Sequence, residues 1–238
     1  MLYYELSQFL LETKMQLEDV FTYDCLPRID TYNNYWKSIK PENDDNIFRR
    51  WLFAYTSIHT TWKSNVRAYN HIKNFEAWID DKENLSDALL RSRAGCHNIR
   101  TEYIWDFSRK FWNNPNEFKK QENETWKDMR NRLSINLKGI GLAKTSFALE
   151  MCYPDEVGVV CLDVHMLRAL NLRTSGYRVE SKKELSSYMF GEDVWLKKSK
   201  FFNSSPYILR CIFWDILQGE QSSRYWSSCF ETQLCLEI

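Results

Sequence analysis

A chain of 238 residues with only 7 glycines and 5 prolines has few places to turn. A β-fold of many hairpins consumes such residues at every connection, so this scarcity points to helices. The apolar pattern agrees. Ile47, Phe48, Trp51, Leu52, Tyr55 and Ile58 recur at a helical period behind Asn46, the expected cap. Helices are also expected over residues 2–18, 62–79, 85–93, 99–112, 125–136, 142–152 and 163–171. A last one opens at Ser205-Pro206 and closes at Gly219, apolar on nearly every face and so fully buried. Residues 24–45, with Pro27, Asn33, Asn34 and Pro41, read as a polar connection. VGVVCL at 157–162 is extended but too short to make a sheet. The fold class is all-α.

Thirty-two basic residues balance 32 acidic ones, which excludes a tail protein that binds nucleic acid through bulk charge. A hydrophobic content of 44% excludes disorder, and no apolar run nears the roughly 20 residues of a membrane span. The seven cysteines are odd in number and scattered, and the N-terminus reads as an amphipathic helix rather than a signal peptide. A reducing, intracellular location is the expectation.

Chemistry concentrates in two places. Leu137-Lys138-Gly139-Ile140-Gly141 lies between two predicted helices. Glycines one residue apart permit a tight hairpin whose amides stand at the next helix's N-terminus, where the dipole favours a phosphate. Lys138 and Lys144 add positive charge. Taken alone, such a turn fits an ordinary helix corner. Downstream, Cys161-Leu162-Asp163-Val164-His165-Met166 carries an aspartate from an extended segment to a helix N-cap.

Together these residues resemble the helix-hairpin-helix DNA glycosylases, the superfamily of endonuclease III, adenine glycosylase and 8-oxoguanine glycosylase. LKGIG, LAKTSFALEMC and CLDVHMLR match its hairpin, following helix and Asp-x-His segment. Residues 51–69 and GCHNIRTEYI at 95–104 are similar to two further segments, and the resemblance runs over about 46–172. It implies a two-lobed helical fold with the site between lobes. The expected lobes are residues 31–155, containing the hairpin, and 1–30 plus 156–238, formed by both chain ends.

The resemblance also implies roles. Lys138, Gly139, Ile140, Gly141, Lys144 and His165 would hold phosphates, aided by a monovalent cation at the hairpin. His59, Thr60, Trp62 and Lys63 stand where relatives wedge open the duplex. Asp163 would be the catalytic carboxylate, stabilising positive charge on the sugar as the N-glycosidic bond breaks. Members that also cut the strand carry a lysine two residues after the second glycine. Ala143 stands there, and Lys144 is one position further, turned by about 100° on a helix. A monofunctional enzyme is therefore expected, with Lys144 kept as second catalytic candidate because a distorted first turn could bring it inward.

No iron–sulfur ligand set is present, so no cofactor is expected, and neither zinc spacing nor a Ser-His-Asp set occurs. The expected partner is double-stranded DNA, met by a monomer without a membrane. Two other functions fit the same residues. One is a viral base-hypermodification transferase that places an amine or amino acid on an activated hydroxymethyl pyrimidine. The other is a non-catalytic DNA-binding module.

Overall fold

The computed structural model describes residues 26–170, 172 and 182–218. Ten α-helices follow one another: α1 (Leu26–Ser38), α2 (Asp44–Thr56), α3 (Trp62–Ile72), α4 (Lys82–Arg91), α5 (His97–Asn113), α6 (Trp126–Asn136), α7 (Leu142–Cys152), α8 (Val164–Ala169), α9 (Lys182–Phe201) and α10 (Pro206–Gln218). Short 3-10 turns lie at Phe75–Ala77 and Pro115–Phe118. Every regular element among the described residues is helical, and none is long and apolar enough to cross a membrane. The helix expected over 2–18 lies outside the described residues, as do Gly219 and three of the cysteines.

The chain divides into two compact units, Pro41–Cys152 and Met1–Lys40 with Tyr153–Ile238. The first holds α2 to α7 around an aromatic core. Phe48 stacks on Phe107 at 5.2 Å and meets Phe75 edge-on at 4.9 Å, while Trp51 and Phe107 both present edges to Phe118. All five rings are buried. The second unit is organised by α10, whose Tyr207, Ile208, Cys211 and Ile212 are wholly buried. Trp36 of α1 packs on Tyr207 at 4.8 Å, and the Tyr32 hydroxyl donates to the Asp215 carboxylate.

Three local expectations are corrected. Residues 26–38 are a helix rather than a connection. Pro27 is tolerated because it falls in the first turn, and Ile29, Tyr32 and Trp36 share one buried face. Helix α2 is capped by Asn43, not Asn46: the Asn43 side chain accepts the Asn46 N–H at 2.9 Å, with Asp44 and Asp45 favourably placed in the first turn. Helix α3 stops at Ile72 rather than running to 79. Its end carbonyls are taken by side chains, Ile72 by the Trp78 indole N–H at 2.8 Å and Lys73 by Arg49 at 3.3 Å.

Candidate active site and DNA-contact elements

The hairpin between α6 and α7 is anchored from within. Leu137 and Ile140 point into the core at 5% exposure each, leaving Lys138 outside. Gly139 sits at φ +81°, and a Cβ there would run into the Tyr103 ring. Gly141 is different: its φ is unexceptional and a Cβ would meet nothing within 4 Å. Only the first glycine is therefore required by the turn itself. Gly141 contributes openness instead. Its carbonyl accepts the Thr145 N–H at 2.9 Å, so the amides of Leu142, Ala143 and Lys144 have no acceptor inside α7.

Helix α5 supports this turn through one face. Tyr103 covers Gly139, Asp106 lies 3.7 Å from the Lys138 ammonium, and Lys110 donates to the Asn136 carbonyl at 2.8 Å while pairing with Asp106 at 3.0 Å. The spacing of 103, 106 and 110 is that of one helical stripe. Sequence reading did not single out these three residues, because their role appears only once the hairpin is seen against α5. Lys144 is half-buried, its ammonium 5.6 Å from the Phe147 ring centroid on its own helix.

The loop between α2 and α3 carries the expected wedge residues. His59 is exposed at φ +48°, a left-handed position uncommon for a side-chain-bearing residue. Thr61 caps α3 by accepting the Ser64 N–H, so Thr60 and Thr61 close the loop. Trp62 is half-buried, edge-on to Phe53 at 5.2 Å, and Phe53 in turn meets Phe147 at 6.1 Å. Trp62 and Lys144 thus lean on neighbouring rings of one cluster, while Lys63 stays exposed.

Arg100 of α5 fixes this loop. Its buried guanidinium donates to the carbonyls of Ile58 at 2.7 Å, Gly95 at 2.8 Å and Ala94 at 3.1 Å. Burial lowers its pKa from the ordinary arginine value, with Cys96 opposing that shift. One helix therefore holds both the loop bearing His59 and the glycine hairpin. Three arginines of α2 and α3 are held by the protein itself. Arg50 is buried, Arg49 is engaged by Glu76 and the Phe75 ring, and Arg67 bonds Ser64 and the Arg93 carbonyl.

Asp163 belongs to the other unit. It is the N-cap of α8, its Oδ1 accepting from the amides of His165 at 2.9 Å and Met166 at 3.1 Å. The second oxygen, Oδ2, takes no hydrogen bond among the described residues, and the side chain is half-exposed. His165 is exposed and edge-on to Trp214 at 5.1 Å. The aspartate is reached through Val157–Leu162, which is irregular and almost wholly buried, with no strand beside it among the described residues. Its end closes on itself, the Leu162 N–H donating to the Val160 carbonyl at 3.0 Å and the Asp163 N–H to the Cys161 carbonyl at 3.2 Å, and helix α9 supplies further bonds. The Val160 N–H donates to Glu192 Oε1 at 2.9 Å, the Tyr188 hydroxyl donates to the Val160 carbonyl at 2.7 Å, and the Leu162 N–H reaches the Tyr188 oxygen at 3.3 Å. A buried segment without a ladder needs such partners for its polar groups.

A profile of the Ogg-HhH family, described as 8-oxoguanine DNA glycosylase, matches residues 26–202. The chain belongs to the 8-oxoguanine DNA glycosylase family. The match spans α1 through α9, so it includes the hairpin, Asp163 and the helix that braces the segment before it. Among solved structures, the chain is similar to the 8-oxoguanine DNA glycosylase of Methanocaldococcus jannaschii, at 22% identity and a TM-score of 0.66, over 91% of this chain and 97% of that one. A Methanocaldococcus jannaschii 8-oxoguanine glycosylase/lyase bound to a 15mer DNA containing 8-oxoguanine gives 23%, a TM-score of 0.64 and coverages of 91% and 97%. The 8-oxoguanine DNA glycosylase of Thermotoga maritima gives 20%, 0.64, 90% and 98%. A comparison with curated protein sequences found no match. At these identities the structures establish a shared helical architecture. Within the family, this chain has Ala143 two residues after Gly141 and Lys144 next to it.

Proposed function

We propose that the protein is a monofunctional DNA glycosylase that everts an oxidised guanine, or a base of similar shape, from duplex DNA and hydrolyses its N-glycosidic bond. The observation that carries the reading is Asp163: two amides of α8 pin one carboxylate oxygen and leave the other unbonded among the described residues. Such a group is fixed in place yet open to a partner. Set below a deoxyribose, it stabilises the positive charge that develops as the base departs. Water then adds to C1′, the base leaves with a proton, and an abasic site remains. Family membership over 26–202 supports the choice of base.

The amides around Gly141 and the start of α7 would take a phosphate of the everted nucleotide, with Lys138 and Lys144 adding charge. A monovalent cation at the hairpin would be held by backbone carbonyl oxygens, a hard donor set suited to such an ion. The His59–Lys63 loop, braced by Arg100, would fill the space left in the duplex.

The test is a duplex carrying one 8-oxoguanine, analysed with and without alkali. Free base is expected, with strand breaks only after alkali. A parallel incubation with borohydride should trap no covalent complex, because a Schiff-base lysine is missing from position 143. Trapping by the wild type that disappears in Lys144→Ala would overturn the monofunctional assignment and make Lys144 the nucleophile. Absence of free base from 8-oxoguanine and from a panel of other damaged bases would remove the glycosylase reading.

A further inference from the structure

We propose that α9 is the template that sets Asp163 in its working position, with Tyr188 and Glu192 as positioning residues. The proposal rests on the glycosylase reading of Asp163. Val159, Val160, Cys161 and Leu162 are buried at 2% exposure or less, and no strand lies beside them among the described residues. Buried amides and carbonyls left unpaired carry a penalty of about 1–3 kcal/mol each.

Tyr188 and Glu192, one helical turn apart on α9, relieve it. Glu192 accepts from the Val160 amide, and Tyr188 clamps the Val160 carbonyl and the Leu162 amide, which also bond each other at 3.0 Å. Tyr188 is 2% exposed and Glu192 is fully buried, so neither side chain is placed to touch DNA. Between them lies Gly191. A Cβ there would fall 2.7 Å from Leu172 and 3.1 Å from both Leu162 and Leu170. Those leucines bracket Asp163 and α8, so the glycine is the point at which α9 approaches them.

Positions 188, 191 and 192 therefore form one face that reads the polar groups of Val160–Leu162 and the bulk of the leucines around the cap. Asp163 directly follows the last bonded residue. A register shift of the segment would move the carboxylate by a comparable distance, and about 1 Å of misplacement costs up to 100-fold in rate.

Tyr188→Phe, Glu192→Leu and Glu192→Gln are compared with wild type on an 8-oxoguanine duplex under single-turnover conditions, well below each variant's Tm. DNA affinity and the amide exchange of Val160 and Leu162 are measured beside the rate. Tyr188→Phe and Glu192→Leu should slow base release about 10- to 100-fold with Kd unchanged within about threefold, and the Val160 amide should exchange faster in Glu192→Leu. Glu192→Gln keeps an oxygen acceptor for the Val160 amide and should recover most of the rate.

Rates within about twofold of wild type in both Tyr188→Phe and Glu192→Leu, whatever their Tm, overturn the proposal. Equal losses of rate and DNA affinity overturn it as well, because a positioning role acts on the chemical step. A wild type that frees no base defeats the glycosylase reading in its own arm. Unchanged exchange of the Val160 amide in Glu192→Leu would then still overturn the template.

Discussion

Replacing Asp163 by asparagine is expected to slow base release by a factor on the order of 10³ while leaving the fold intact. Asparagine caps helices as well as aspartate does, and its side-chain oxygen can accept the amides of His165 and Met166 as Oδ1 does now. What disappears is the negative charge on the oxygen that the cap does not use. Asp163→Ala should show the same rate loss together with about 1 kcal/mol of destabilisation, since the cap goes too. The pair separates two roles of one side chain. A Tm that falls in Asp163→Ala but not in Asp163→Asn, with base release slowed alike in both, is the expected pattern. Near-wild-type base release by Asp163→Asn would reduce the residue to a helix cap.

The second large effect is at the hairpin, where two glycines should behave differently. Gly139→Ala forces a side chain into left-handed backbone at φ +81° and against the Tyr103 ring. Strain of about 1–3 kcal/mol follows before any repacking of Tyr103, read as a lower Tm. Gly141→Ala should melt with wild type, because its Cβ meets nothing. Its cost should appear only with DNA. A methyl group at the mouth of α7 would hold a phosphate away from the amides, and losing one charge-assisted hydrogen bond weakens Kd about tenfold or more. Equal affinities for wild type and Gly141→Ala would take the phosphate away from this turn.

Much of this arrangement is visible in the residues alone. Gly139 and the Asp163 cap declare themselves because each solves a local problem, a left-handed turn and an unsatisfied helix start. The burial of α10 follows from apolar residues on every face. What stays hidden depends on neighbours distant in sequence. Residues 26–38 look like a linker because Pro27 and the asparagines dominate the eye, yet the stripe of Ile29, Tyr32 and Trp36 is fixed by packing on Tyr207 and bonding to Asp215. Helix α3 ends where Trp78 and Arg49 take its last carbonyls, which no periodicity reveals. Tyr188 and Glu192 are ordinary helix residues until the buried segment before Asp163 is seen beside them. Gly141 teaches the reverse lesson: a glycine in a turn motif need not be there for its φ.

The central claim is that this protein breaks the bond between base and deoxyribose. The most direct measurement is the mass of every nucleoside product after incubation with a modified duplex and complete digestion. Loss of the modified nucleoside is expected, matched by an equal amount of free base and abasic sugar. A modified nucleoside that survives with its glycosidic bond intact and a greater mass would contradict it, and would make the protein an enzyme that builds on the base instead of removing it.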